Sequence, residues 1–285
     1  MEVTANKAII YDDTCPLCVW YTGAFVKTGM LKKDNRISFN ELNEKTEIAA
    51  NMDMHRSKHE IPLVDLKGGE TLYGLDSLAF ILSEKMPFIA WALQFRPIRA
   101  FFKTFYNIVS YNRRVIVGAA KTPTNGFDCT PDFHVVYRLI YIVLGILMGV
   151  LGAYSFAWMI LYSEALYTIG FINMIFLCVG VAGWGIYGLI ALVTIPNNRT
   201  KIEYFGQLVT ISLMSLGVYV ALMGIAAFIP SVYIANLVGA FAVAISFLVA
   251  CRAHFRRLKV VGLENWRMIV WVLSFVVAAV LGLGS

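Results

Sequence analysis

The spacing of apolar positions changes character near residue 120. Before that point apolar residues come in short periodic groups. After it they come in long runs. Lys7–Tyr11, with Ile9 and Ile10 at its centre, predicts a short buried strand. Residues 15–31 predict a helix, with Thr14 or Cys15 at its cap and Pro16 in the first turn, where proline fits because that N–H has no helical partner. Residues 36–40 alternate as a second strand, and 43–54 predict a second helix. Pro62 precedes a third strand at 63–66, Gly68-Gly69 marks a turn, and 70–73 form a fourth strand. A last helix is expected over 75–85, with Leu75, Leu78, Ala79 and Leu82 on one face.

Beyond residue 120 five segments approach the roughly 20 apolar residues that cross a bilayer: 135–158, 168–195, 206–229, 231–251 and 267–284. They contain no Asp, Glu or Lys, and Arg138, one turn into the first, is placed to snorkel to the headgroups. About five spans are therefore expected, as an all-α transmembrane bundle. Asn173 and Asn236 are expected to tie helices together. Seven of the eight basic residues beyond 134 fall in two expected loops, Arg199 and Lys201 in one and Arg252, Arg256, Arg257, Lys259 and Arg267 in the other. The segment near 159–167 carries only Glu164, and the turn at Pro230 has no charge. Positive loops face the cytoplasm. The expected protein is thus multi-pass in the cell inner or plasma membrane, with a cytoplasmic N-terminal domain.

Residues 88–117 are too charged to span. Trp91, Phe95, Phe101, Phe102, Phe105 and Tyr106 alternate with Arg96, Arg99, Lys103, Arg113 and Arg114. Two compatible readings stand: an amphipathic helix that closes the soluble domain, and one lying in the membrane interface.

Composition sharpens this division. The chain of 285 residues is 59% apolar and 15% charged, against about 45–50% and 25% for ordinary soluble domains. Residues 1–121 hold 16 of the 24 Lys and Arg and 13 of the 18 Asp and Glu. The net charge of +6 is therefore a signature of basic residues flanking membrane spans, and no nucleic-acid partner is expected. Residues 1–12 lack a basic region followed by a long apolar core, so the N-terminal domain is expected to stay where it is made. The domains expected are 1–118, a linker at 119–134, and a membrane domain at 135–285.

The order strand, helix, strand, helix, strand, strand, helix is that of a thioredoxin- or glutaredoxin-like α/β fold. In that fold redox cysteines open the first helix and a cis-proline precedes the third strand. Cys15-Pro16-Leu17-Cys18 and Ile61-Pro62 occupy those two places. The thiolate is the attacking species, and a helix N-terminus lowers a cysteine pKa. Cys15 is the expected nucleophile and Cys18 the resolving thiol, with exchange passing through a mixed disulfide. Asp12 is the candidate proton acceptor for Cys18, and Pro62 is expected to shape the substrate groove.

Tyr11-Asp12-Asp13-Thr14-Cys15-Pro16-Leu17-Cys18 resembles the signature of the DCC family of thiol-disulfide oxidoreductases, named for Asp-x-x-Cys-x-x-Cys. Tyr73-Gly74-Leu75-Asp76-Ser77-Leu78 is similar to the family's lead into its last helix, and Tyr111-Asn112-Arg113-Arg114 to its basic end. The resemblance covers about 7–118 and none of the spans. It implies a reaction class, disulfide exchange, and no particular substrate; a protein or small-molecule thiol or disulfide is the expected partner, and no cofactor is expected. The family usually has glycine after the first Asp. Asp13 stands there instead, a second acid expected to oppose the Cys15 thiolate.

Two other readings stay open. Cys15, Cys18, His55 and His59 are a zinc-compatible ligand set. The domain could also dock a partner for a transport or interaction complex without chemistry. Of the remaining cysteines, Cys178 and Cys251 are expected to pack within the spans. Cys129, in the linker on the same side as Cys15, is a possible exchange partner.

Overall fold

The computed structural model describes residues 4, 6–119, 129–162, 164–226, 228–229 and 231–283. Most of the expected linker, 120–128, lies outside the described residues. The chain forms two compact units that meet at Arg138 and Leu139, and each is described by itself.

The first unit is built on a four-stranded mixed sheet. Strand β1 (Lys7–Tyr11) lies inside it, parallel to β2 (Arg36–Ser38) and antiparallel to β3 (Pro62–Asp65), and β4 (Leu72–Tyr73) pairs antiparallel with β3. The order is β2-β1-β3-β4, the thioredoxin-like arrangement. Both faces of β1 are covered, so it is a continuous apolar run instead of an alternating one. Ile9, Tyr11 and Leu63 pack on one face with Cys15, Cys18, Phe25 and Ile81. Ala8, Ile10 and Val64 pack on the other with Ile37, Phe39, Leu42 and Met52.

Helix α1 (Pro16–Lys27) stops short of the expected Leu31. Gly29 adopts φ 70°, the Met30 N–H bonds the Phe25 carbonyl at 2.9 Å, and the Gly29 N–H bonds the Val26 carbonyl at 3.1 Å. This is a Schellman stop, which a glycine makes at low cost. The expected strand 36–40 ends at Ser38, because Phe39 turns into a 3-10 helix at Asn40–Glu44. The helix expected over 43–54 is broken into that turn, α2 (Thr46–Ala50) and α3 (Met54–Ser57). The Asp53 carboxylate accepts the Arg56 N–H at 3.0 Å and so starts α3 afresh.

Helix α4 (Leu75–Ser83) is entered through Gly74 at φ 61°, where a Cβ would stand 3.1 Å from the Tyr106 ring. The Gly74 N–H and the Ser77 hydroxyl both bond the Ile61 carbonyl, each at 2.9 Å. Short α5 (Pro87–Ala92) leads to α6 (Arg96–Val117), which Gly118 terminates in the left-handed conformation. The C-terminal half of α6 buries Ile108, Ser110, Asn112, Arg113 and Val115. That half closes the domain, as the first of the two readings had it.

The second unit comprises α7 (Val135–Tyr162) from Leu139 onward, α8 (Glu164–Thr194), α9 (Asn198–Ala226), α10 (Val232–Val261) and α11 (Trp266–Leu283). Four helices, α7 to α10, are long and apolar enough to cross a membrane. The expected fifth span falls on α11, whose apolar stretch Trp266–Leu281 is shorter than the others and than the roughly 20 residues a span needs. Among the described residues the count by length and composition is four, and the protein is an integral membrane protein.

Gly145 and Gly149, four apart on α7, let α9 approach closely. Gly145 meets Val209, Gly149 meets Leu213, and Tyr141 Oη lies 2.7 Å from Thr210 Oγ1. Gly183 on α8 admits the Phe275 ring of α11, which would stand 2.5 Å from an added Cβ.

Basic residues expected in loops lie on helices instead. Arg199 and Lys201 are in the first turn of α9, and Arg252 to Lys259 are in the last turns of α10, which runs unbroken to Gly262. A helix C-terminus favours cations, and nothing before Gly262 interrupts it. Arg257 is fully buried and donates to Gln207 Oε1. Arg267 donates to Thr194 Oγ1 at 2.8 Å. The amide seen tying helices is thus Gln207, whereas the side chains of Asn173 and Asn236 lie outside the described ones.

Tyr187, Tyr204 and His254 form a buried hydrogen-bonded chain across α8, α9 and α10, with O···O 2.5 Å and O···N 2.6 Å. Tyr204→Phe breaks both links and is expected to lower stability by about 1–2 kcal/mol, the range for polar contacts between membrane helices. Reversible unfolding in mixed micelles measures it.

Candidate active site

Cys15 is the N-cap of α1, and its carbonyl accepts the Val19 N–H at 3.0 Å. Pro16 opens the helix without an N–H, so the donors of the first turn begin beyond it. Both cysteines are free thiols. The Cys18 thiol donates toward the Cys15 sulfur, and this is the largest influence on either group. It lowers the Cys15 pKa; burial opposes that, and the Cys18 N–H and the Arg113 charge add to it, leaving a value of about 6. The same hydrogen bond, reinforced by burial, pushes Cys18 well above the ordinary thiol range. The two sulfurs are thereby set apart: one a thiolate at neutral pH, the other a proton-bearing donor.

The positive charges around the pair come from α6, and the negative one from Asp12 in the loop after β1. Asp12, only 4% exposed, accepts from the Thr14 N–H at 3.0 Å and the Thr14 hydroxyl at 2.6 Å. Its other oxygen takes Arg114 Nη2 at 3.1 Å and lies 3.7 Å from Arg113 Nη2. Arg114 also donates to Thr14 Oγ1 at 2.8 Å. These contacts pin the end of α6 over the loop that leads into the dithiol. Tyr21, one turn beyond Cys18 on α1, is half-buried beside it, and desolvation holds its phenol protonated. Pro62 and Cys18 line one small pocket together with Tyr21, Ile61, Arg113 and Asp12. The expected cis bond is absent: among the described residues every peptide is trans, and Pro62 simply opens β3, paired with Tyr73. Cys15 is 0% exposed and Cys18 4%, so both sulfurs are closed off from solvent.

The segment that carries this geometry, residues 9–119, matches the family of DCC1-like thiol-disulfide oxidoreductases. These residues form a DCC1-like domain. No curated protein and no solved structure matches the chain.

Within the DCC1-like domain, Asp13 does not act as expected. Its carboxylate is turned outward to accept Asn40 Nδ2 at 2.7 Å. The carboxylate that opposes the Cys15 thiolate is Asp12, itself clamped by two arginines. His55 and His59 lie together, rings 5.9 Å apart, but His59 stacks on Tyr111 at 4.7 Å and bonds Asp132 at 3.1 Å. Among the described residues no group of three or more His, Cys, Asp or Glu is placed to hold a metal ion, so the four candidate zinc ligands do not assemble.

Cys129 is buried with Ile10, Phe39 and Val64, on the face of the sheet away from Cys15 and Cys18. Its carbonyl accepts from Arg113. Cys178 is exposed on α8, not packed inside, and Cys251 is half-buried. Arg113, Arg114, Thr14 and Tyr21 carry roles that the motif alone did not assign. Tyr21 was within reach, because three residues beyond Cys18 lies the same helix face.

Proposed function

We propose that the DCC1-like domain is the catalytic part of a membrane-anchored protein-disulfide reductase that works through the Cys15–Cys18 dithiol. The observation that carries this reading is the split between the two sulfurs, with Cys15 lowered to about 6 and Cys18 raised. The Cys15 thiolate attacks one sulfur of a substrate disulfide, forming a mixed disulfide and expelling the other sulfur as a thiolate. Cys18 then loses its proton, with Asp12 the nearby carboxylate to receive it, and attacks the Cys15 sulfur. The second substrate thiolate leaves, and Cys15–Cys18 is the product disulfide. Two electrons have passed to the substrate, and a dithiol reductant must return them. Pro62, beside Cys18, shapes the entrance. The near-complete burial of both thiols favours one second reading, a docking domain without exchange.

We place the domain in the cytoplasm. Tyr141 of α7 bonds Thr210 midway along α9, and Gly145 and Gly149 meet Val209 and Leu213, so the two helices run parallel with the start of α7 level with the Arg199–Lys201 turn, while Arg267 bonds Thr194. The first turns of α7 thus share an end of the bundle with the basic residues, the end that faces the cytoplasm, where thiols are kept reduced.

Alkylation of Cys15 against pH, in the full chain in detergent, tests the reaction. The rate is expected to rise through pH 6 and level off above it, because the thiolate is lost as pH falls through the folded pKa. An ordinary thiol rises only near about 8.5. A midpoint there, or a pair that forms no disulfide across a glutathione series, sinks the oxidoreductase reading and leaves docking.

A further inference from the structure

Among the described residues of its own unit, the N-terminal half of α6 is tied down by an ion pair from Arg99 to Asp76 and buries none of its apolar side chains. Every residue from 94 to 105 is exposed, so three helical turns stand clear of the core. A helix this short is marginal in water without tertiary packing. Its apolar residues are Ile98, Phe101, Phe102 and Phe105, at positions i, i+3, i+4 and i+7, which place them on one stripe. Phe101 is 66% exposed and Phe105 55%, and Phe88 and Trp91 of the preceding α5 are 64% and 62% exposed. Soluble surfaces rarely carry so many contiguous exposed aromatics, and where they do the patch meets a membrane or a partner. Arg96, Arg99 and Lys103 lie on the other side of the helix, and Arg99 is held by Asp76 at 2.8 Å. No acid occurs anywhere from 87 to 117.

We propose that residues 87–105 lie in the headgroup layer of a bilayer leaflet containing anionic phospholipid, with the phenylalanine stripe inserted and Arg96 and Lys103 against phosphate groups. Two features choose lipid over a protein partner. The chain is already held at a membrane by its own spans. The segment is also purely basic, with large aromatics facing one way, which is the pattern of helices that lie in the interface plane. This surface is independent of the redox reading.

The test is photocrosslinking of the full chain in nanodiscs of phosphatidylcholine with phosphatidylglycerol. Benzoylphenylalanine replaces Trp91, Phe101 or Phe105 in turn, with exposed Leu66 as the comparison site, and intact mass reports the adduct. Lipid adducts are expected at 91, 101 and 105 well above those at 66. The yield is expected to fall when phosphatidylglycerol is left out. R96Q and K103Q are each expected to lower the yield at 101 by up to about five-fold, the factor equivalent to about 1 kcal/mol per basic residue near an anionic surface. Adducts to a second protein chain, yields equal to that at 66, or indifference to phosphatidylglycerol would each overturn the proposal.

Discussion

Cys18→Ala is expected to slow Cys15 alkylation at pH 7 by about 30-fold, whereas Cys18→Ser slows it much less. The Cys18 side chain is the largest of the forces lowering Cys15 to about 6. At that value roughly 90% of Cys15 is thiolate at pH 7, and at an unperturbed value near 8.5 only about 3% is. Alanine removes the donor, and the sulfur is left with burial opposing it and only the Cys18 N–H and Arg113 in its favour. Serine keeps an O–H that can donate, so part of the thiolate stabilisation survives. Serine also cannot resolve a mixed disulfide, so the Cys18→Ser protein is expected to accumulate one with its substrate, visible as a reductant-sensitive mass shift. Cys15→Ser forms none and loses exchange altogether. Equal alkylation rates in the alanine and wild-type proteins would show that the helix N-terminus and Arg113 suffice, and the hydrogen bond between the sulfurs would lose its assigned weight.

The parts of this site that were legible in the sequence are those set by local chemistry. A proline after the first cysteine, a three-residue spacing and an apolar strand before it place the dithiol at a helix start whatever the rest of the chain does. The arginines were visible only as a basic helix end. Their role depends on α6 crossing back over the loop at Asp12, about 100 residues earlier in the chain, and no periodicity encodes that contact. The pairing of His55 with His59 followed from helical spacing and is seen, but their separation from the cysteines is a tertiary fact. Asp13 illustrates the same limit: its sequence position puts it beside the pair, and only the path of the loop turns it toward Asn40.

In the membrane unit, hydropathy found the helices and misjudged their ends. A run of arginines looks like loop, yet arginine is a good helix former, and only Gly262 stops α10. Gly145-x-x-x-Gly149 is a small-residue spacing that the sequence does display and that marks close helix approach. The Tyr187–Tyr204–His254 chain could not be anticipated, because each member is an isolated polar residue on a different helix.

Arg114→Ala is expected to raise the alkylation rate of Cys15 by about 10- to 100-fold without moving its pH midpoint. Cys15 is 0% exposed, so an alkylating reagent must wait for a local opening, and the rate reports the population of open protein. Among the contacts of Arg114, those to Asp12 Oδ2 at 3.1 Å and to Thr14 Oγ1 at 2.8 Å resist this opening. Charge-assisted hydrogen bonds of this kind contribute about 1.5–3 kcal/mol, and losing that much multiplies the open population by the factor expected. The midpoint stays because the arginine acting on the Cys15 charge is Arg113, and Arg113 remains in place on Asp12. Arg113→Gln is expected to do the reverse, moving the midpoint upward by removing a charge that favours the thiolate. If Arg114→Ala leaves the plateau rate within about two-fold of wild type, the end of α6 is not what covers the dithiol. If it shifts the midpoint as well, the two arginines act as one charge on Cys15, and their separate roles as cover and electrostatic support collapse into a single one.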